Sequence, residues 1–100
     1  MSTSKVTVKL NIYGEEYPVK SEADIAYIEQ VGLYVDKKMK EVAEKLPQYS
    51  TSKVAVLAAL NIADELFKER QEKEKQLLEV EQKAHNLLEW LDNRLAEVEL

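Results

Sequence analysis

The chain has 100 residues and a mass of 11.5 kDa, which is enough for one small domain and excludes a large multidomain enzyme. Charged residues make up 33% of it and apolar residues 45%, with two glycines and two prolines, a composition that favours an ordered and mostly helical protein. It has no cysteine and one histidine, which excludes disulfides, thiolate metal sites and histidine clusters. The net charge of −5, without a basic stripe, argues against nucleic acid as a partner.

The hydropathy pattern gives no sign of a membrane segment. The longest uninterrupted apolar run, from Val54 to Leu60, has seven residues, whereas a membrane-spanning helix needs about 20. Residues 1–4 lead directly into a strand pattern, with no basic and apolar leader before it. We therefore expect no membrane insertion and a cytoplasmic location.

The first predicted element is a β-hairpin over residues 5–20. Apolar and polar residues alternate on both sides of Gly14, which is the pattern of strands with one buried face. If Gly14 and Glu15 form a two-residue turn, Ile12 should lie opposite Tyr17. An isolated hairpin is marginal in water, so helices are expected to cover its apolar face.

The second predicted element is a helix over residues 22–46, with Ser21 as its N-cap and Pro47 just after its end. Its apolar residues fall on one broad stripe at spacings of three, four and seven, and Lys37 and Lys38 are expected to lie away from it. The residues of this stripe and its flank are Ile25, Tyr27, Ile28, Val31, Tyr34, Val35, Met39, Val42 and Leu46. Leu33 lies on the opposite side, either as a scattered surface leucine or as a contact to a partner.

The third predicted element is one long helix from residue 51, because no glycine or proline follows Pro47. Residues 1–67, which include the start of this helix, are predicted to form a globular head, and residues 68–100 a coiled-coil tail. The run from Val54 to Leu60 is apolar on every side of the helix, and so small a head cannot cover it alone. We therefore expect a second chain to cover it.

A heptad frame continues through the long helix at alternating spacings of three and four. Arg70 and Lys73 occupy seam positions in a charged neck, where they weaken the seam and set its register. Near the end, Leu88, Leu95 and Trp90 widen the seam and favour four helices, with Trp90 either in the core or an anchor for a partner. The residues predicted to carry self-association are Val56, Leu57, Leu60, Leu66, Leu77, Val80, Ala84, Leu87, Leu91 and Val98.

Catalytic chemistry is not indicated. The sequence has no nucleophile paired with a base, no glycine-rich phosphate loop and no metal-ligand spacing. His85 is interpreted as a partly solvated helix residue, and Glu15 in the hairpin turn as facing solvent or a protein partner. The sequence therefore predicts a protein that is not an enzyme, with no cofactor and no metal.

Three segments, in this order, carry a resemblance to a known family. They are Ile12–Gly14 at the end of the first strand, Tyr34–Met39 in the first helix and Val56–Leu66 in the long helix, followed by a charged coiled-coil tail. Together they resemble the ZapA family of bacterial cell-division proteins. The resemblance implies an α+β fold of mostly helix, with a hairpin-plus-helix head followed by one long coiled-coil helix.

The resemblance also implies a function. Members look like adaptors at the mid-cell division site that bind the tubulin-like protein FtsZ and bundle its protofilaments into a ring. They form dimers through paired heads, and two dimers join through their tails into an antiparallel tetramer, so that head pairs lie at both ends. In this chain, the charged residues of the head that would contact FtsZ are Glu15, Lys37, Lys38, Glu41 and Lys45.

A coiled-coil chaperone of the prefoldin type is the alternative function. Such a protein would hold unfolded clients at the ends of its helices, which requires exposed apolar tips. Glu97 and Glu99 make this end of the chain acidic, which disfavours the alternative.

Overall fold

The computed structural model describes residues 5–97 and contains an antiparallel hairpin followed by two helices. The elements are β1 (Val6–Ile12), β2 (Glu15–Ser21), α1 (Ile25–Lys45) and α2 (Thr51–Glu97). The chain divides into two compact units, the first ending at Ala63 and the second beginning at Asp64. The predicted fold class is confirmed: an α+β protein of mostly helix, with a hairpin ahead of a long helix.

The hairpin turns at Tyr13 and Gly14, so the predicted turn at Gly14 and Glu15 is wrong. Both turn residues have a positive φ, 51° and 83°, which is the geometry of the tight turn that suits the twist of a two-stranded ribbon. Ile12 therefore pairs with Glu15 rather than with Tyr17. Tyrosine rarely adopts the left-handed backbone conformation, so the residue type of Tyr13 gave no indication that it lies in the turn.

Helix α1 begins at Ile25 rather than at residue 22. The Ser21 side-chain oxygen accepts a hydrogen bond from the Ala23 N–H at 3.0 Å, so Ser21 closes a turn before the helix instead of capping it. Asp24 occupies the N-cap position without a side-chain cap bond. At the other end, the Leu46 N–H donates to the Val42 carbonyl at 2.9 Å, and the chain leaves the helix there.

The core of the first unit lies where α1 meets the first turns of α2. Met39 and Val42 from α1 are buried against Val54 and Ala58 from α2, and Val54 has no exposed surface. The side chains that pack around this core are Ile12, Tyr13, Val35, Ala43, Leu46 and Leu57. The apolar stripe predicted for the first helix thus supplies the core.

The hairpin is seated on α1 through a close approach at Gly32. A Cβ atom at this position would lie 3.0 Å from a methyl carbon of Leu10, which is tighter than ordinary van der Waals contact. Gly32 therefore lets β1 lie close to the helix, and Leu10 and Val8 are buried there. The following helix, α2, begins after Ser50, whose hydroxyl accepts a hydrogen bond from the Lys53 N–H at 3.3 Å.

Candidate interaction surfaces

The exposed charges predicted to contact a partner lie along one side of α1. Lys37, Glu41 and Lys45 follow one another at a spacing of four residues, and all three are exposed. Glu41 and Lys45 also line a shallow groove of about 210 Å³ whose apolar walls include Leu46 and Leu57. We call Lys37, Glu41 and Lys45 the charged stripe.

Lys38 does not belong to this exposed set. Its side chain is only 14% exposed, and its Nζ atom lies 3.6 Å from Glu41 Oε2. The same Nζ lies 5.2 Å from the centre of the Tyr34 ring, one helical turn earlier. The expectation that Lys38 lies away from the apolar stripe is therefore wrong, because its side chain is largely buried and its ammonium group lies over Tyr34, on the flank of that stripe.

A hydrogen bond ties the hairpin turn to the middle of α1. The backbone N–H of Tyr13 donates to Asp36 Oδ1 at 2.7 Å, and Asp36 Oδ2 lies 2.9 Å from Lys40 Nζ. Glu15 follows Tyr13 by two residues and Lys37 follows Asp36 directly. The bond therefore brings the turn that carries Glu15 to the part of α1 where the charged stripe begins.

Asp36 was not among the residues predicted to be functional. The sequence does contain one indication of its role: Asp36 is an acid next to Val35, at the margin of an otherwise apolar stripe. A carboxylate in such a place usually has a partner. The structure shows the reason for it: the Asp36 side chain is 16% exposed, and its two oxygens bind different partners.

Glu15 itself is exposed and lies at the start of β2. Its Oε2 atom accepts a hydrogen bond from the Tyr17 hydroxyl at 3.1 Å. This bond and the negative charge of Glu15 raise the pKa of Tyr17 above its ordinary value. Glu15 thus presents its carboxylate at the surface of the turn, with a tyrosine hydroxyl beside it.

The Asp36 carboxylate should make the stability of the head depend on pH. The hydrogen bond from Lys40, and then that from the Tyr13 N–H, hold the pKa of Asp36 below its ordinary value of 3.8. Such a group stabilises the fold above its ordinary pKa, and the contribution is lost as the pH falls through the lowered value. We therefore expect Asp36→Asn to be less stable than the unaltered chain near pH 7, with a difference that shrinks below pH 3.8. Urea unfolding over a pH series measures this, and an equal difference at every pH would contradict it.

The first turns of α2 leave apolar side chains uncovered in a single chain. Val56 and Leu60 are each 60% exposed. Leu57 is partly buried against the core of the head, and with Tyr49, Lys53 and Val56 it lines a groove of about 410 Å³. Of the residues predicted for self-association in this region, Val56 and Leu60 are thus available to a second molecule.

The flank of α1 is also uncovered. Tyr27, Val31 and Tyr34 lie one helical turn apart, and each exposes more than two fifths of its surface. These side chains were predicted to widen the buried stripe, but within residues 5–97 each of them stays partly exposed. The head therefore has two apolar faces, one on α1 and one on α2, that a second molecule could cover.

The second unit has its apolar side chains on a single helix. Every residue from Asp64 to Ala96 is exposed. This includes the predicted seam residues Leu66, Leu77, Val80, Ala84, Leu87 and Leu91, whereas Val98 lies outside the described residues. A helix with this pattern is stabilised when other helices cover its seam.

The charged neck of α2 is held by local pairs. Lys73 Nζ lies 3.3 Å from Glu69 Oε1, and the Arg70 guanidinium lies 5.8 Å from the centre of the Phe67 ring. Farther along, the Arg94 guanidinium lies 5.1 Å from the Trp90 ring. Such exposed pairs each contribute a few tenths of a kcal/mol to a helix.

No helix within residues 5–97 has the length and apolarity needed to cross a membrane. Within the same range, no three histidine, aspartate or glutamate side chains are grouped so that they could hold a metal ion.

Similarity to a known protein family covers nearly the whole chain. The family model described as Cell division protein ZapA matches residues 8–98, which is nearly the whole chain. The chain belongs to the ZapA family. Two of the segments that carried the resemblance, Ile12–Gly14 and Tyr34–Met39, are those that the hydrogen bond between Tyr13 and Asp36 joins.

Individual ZapA proteins are similar over most of the chain. Cell division protein ZapA of Geobacillus kaustophilus (strain HTA426) is 41% identical over 68 residues, which cover 68% of this chain and 75% of the relative. Cell division protein ZapA of Shouchella clausii (strain KSM-K16) is 39% identical over 67 residues, 67% of this chain and 86% of the relative.

Two solved structures are similar in fold. A ZapA mutant dimer from Geobacillus stearothermophilus aligns with a TM-score of 0.62 and 34% identity, over 80% of this chain and 93% of the other. An unknown conserved bacterial protein from Pseudomonas aeruginosa PAO1 aligns with a TM-score of 0.75 and 26% identity, over 87% and 97% of the two chains. Both are consistent with a ZapA fold made of a hairpin head and a long helix.

Proposed function

We propose that this chain is a self-associating, non-enzymatic adaptor of cell division that binds FtsZ and cross-links its protofilaments at mid-cell. The observation that carries the proposal is the match to the ZapA family over residues 8–98. The same match favours an adaptor over a coiled-coil chaperone.

Self-association of the heads is supported by the apolar faces that a single chain leaves open. Val56 and Leu60 on α2 are more than half exposed, as is Tyr27 on α1. Full burial of one such side chain contributes about 1.5–3 kcal/mol, so covering these faces with a second head favours dimer formation against the loss of translational and rotational freedom. The similar ZapA mutant from Geobacillus stearothermophilus was solved as a dimer, which supports pairing of two chains here.

Association of the tails would then join two dimers. A two-stranded coiled coil buries one seam, but α2 also exposes Leu88 and Leu95 beside that seam. Covering these residues requires a wider bundle, which two pairs of helices provide. With head pairs at both ends, the particle could hold two filaments at once, and this linkage raises effective affinity without new contacts.

The contact with FtsZ is assigned to the charged stripe and the hairpin turn. Lys37 and Lys45 flank Glu41, so the stripe alternates in sign and is not a general basic patch. A contact of this kind favours a complementary surface and excludes partners that place like charges opposite it. Glu15 adds a second acidic position to the same region.

Reversing the two lysines of the charged stripe tests this assignment. Lys37→Glu with Lys45→Glu should weaken co-sedimentation with polymerised FtsZ by about tenfold or more, because like charges then face the partner. Oligomer mass and helicity should not change, since both side chains are exposed. Binding of the unaltered chain should also weaken with salt, as the Debye length falls from about 10 Å at 0.1 M to about 3 Å at 1 M.

The matched control reverses two other lysines of the head. Lys5 and Lys20 are exposed and lie near the open end of the hairpin, away from the turn. Lys5→Glu with Lys20→Glu makes the same change in net charge and should bind FtsZ nearly as the unaltered chain does. Equal losses in both double variants would mean that net charge, and not the charged stripe, determines binding.

A further inference from the structure

We propose that Asp36 is a positioning residue, which fixes the hairpin turn against α1 and so sets Glu15 beside the charged stripe for partner binding. The binding part of this inference rests on the function proposed above. Its structural part stands on the geometry of Tyr13 and Asp36 alone.

The turn has two backbone donors that the hairpin ladder cannot satisfy, the N–H groups of Tyr13 and Gly14. Ile12 and Glu15 close the two-residue loop, so the N–H of Tyr13, at the tip, points away from the strand ladder. Asp36 Oδ1 accepts this N–H at 2.7 Å, across 23 residues of sequence. A hydrogen bond to a charged acceptor is stronger than a bond between neutral groups, and this one ends on a backbone atom of the turn itself.

The bond complements the packing that holds the rest of the hairpin. Leu10 contacts α1 at Gly32, four residues before Asp36, while the side chains of Ile12 and Tyr13 pack against the core. These apolar contacts hold the hairpin on the helix, but they provide no acceptor for the backbone N–H of Tyr13. The Asp36 bond adds direction at the tip, and Lys40 holds the carboxylate from the other side at 2.9 Å.

Two substitutions at this position separate the hydrogen bond from the charge. Asp36→Asn and Asp36→Ala both remove the ion pair with Lys40, but only asparagine keeps a side-chain oxygen that can accept the Tyr13 N–H. In Asp36→Ala the amide hydrogen of Tyr13 should exchange with solvent about tenfold faster or more, relative to the ladder amides of Val8 and Leu10. In Asp36→Asn the exchange of Tyr13 should lie between that of the unaltered chain and that of Asp36→Ala, and closer to the former, because an amide oxygen still accepts the N–H but in a weaker hydrogen bond.

Partner binding should follow the hydrogen bond and not the charge. Affinity for polymerised FtsZ should fall about fivefold or more in Asp36→Ala, because a free turn must be ordered on binding, and asparagine should restore most of it. Gln30→Gly, at an exposed position in the interior of α1, lowers helix stability without touching the turn. It should therefore lower the melting temperature while leaving affinity unchanged, which separates positioning from loss of stability.

The outcomes distinguish the parts of the inference. Unchanged Tyr13 exchange in Asp36→Ala would overturn the role of Asp36 in fixing the turn. Faster exchange with unchanged FtsZ affinity would overturn the role of the fixed turn in binding. Failure of the unaltered chain to bind FtsZ would overturn the proposed function together with that second role, while the exchange rates would still decide the first.

Discussion

Leu87→Glu should split the assembly that the tails form into dimers held by their heads. Leu87 lies on the seam of α2 and is 58% exposed in the single chain, so other helices must cover it if the tails associate. A carboxylate left unpaired in such an interface costs about 3–5 kcal/mol, which is enough to dissociate a micromolar complex. Light scattering and sedimentation equilibrium should show the mass falling from four chains to two, with most helicity retained.

The matched control places the same charge on the opposite side of the helix. Gln82 is exposed and lies away from the seam, where its side chain contacts Asn86 at 3.0 Å. Gln82→Glu should leave the mass at four chains. A four-chain mass for Leu87→Glu as well would show that the distal seam is not the interface between dimers.

Val54→Asp should unfold the head. Val54 has no exposed surface and lies in the core formed with Met39, Val42 and Ala58. A carboxylate at this position has no hydrogen-bond partner in an apolar core, so we expect a loss of about 4 kcal/mol or more of stability. Urea unfolding followed by circular dichroism measures the loss.

Ser52→Asp is the control for this substitution. Ser52 lies two residues earlier, on the exposed first turn of α2, where an acid interacts favourably with the helix dipole. Its effect should stay within about 0.5 kcal/mol of the unaltered chain. If Val54→Asp were as stable as Ser52→Asp, the core described for the head would be wrong.

The periodicity of apolar residues predicted much of the fold. The spacing of Met39 and Val42 placed them on the buried stripe of the first helix, and the absence of glycine and proline after Pro47 predicted the long helix. These inferences succeed because they depend on residues that are close in sequence, which share a helix face by geometry alone. The fold class followed from them.

Local exceptions to these patterns could not be predicted. Tyr13 adopts a positive φ that its residue type disfavours, and Ser21 binds Ala23 in a turn although it resembles a helix cap. Lys38 lies over Tyr34 rather than in solvent. Each of these conformations depends on a specific contact, and composition and spacing do not reveal which of several possible contacts a side chain makes.

The candidate site was predicted only in part. Lys37, Glu41 and Lys45 were recognised as exposed charges of the first helix, but the bond between Tyr13 and Asp36 joins residues far apart in sequence and has no periodic signature. The seam of α2 shows a different limit: heptad spacing identifies which side chains share a face but not which copy of the chain covers them. Which copy covers the seam can be read only from the structure of the assembled chains.

Bundling of FtsZ is the most direct test of the adaptor function. We expect the unaltered chain to gather polymerised FtsZ into bundles that sediment at low speed, because the proposed tetramer would carry head pairs at both ends. Leu87→Glu should still pellet with single filaments at high speed, since its heads are intact, but it should not bundle them. Bundling by Leu87→Glu dimers at the level of the unaltered chain would contradict cross-linking by a two-ended particle.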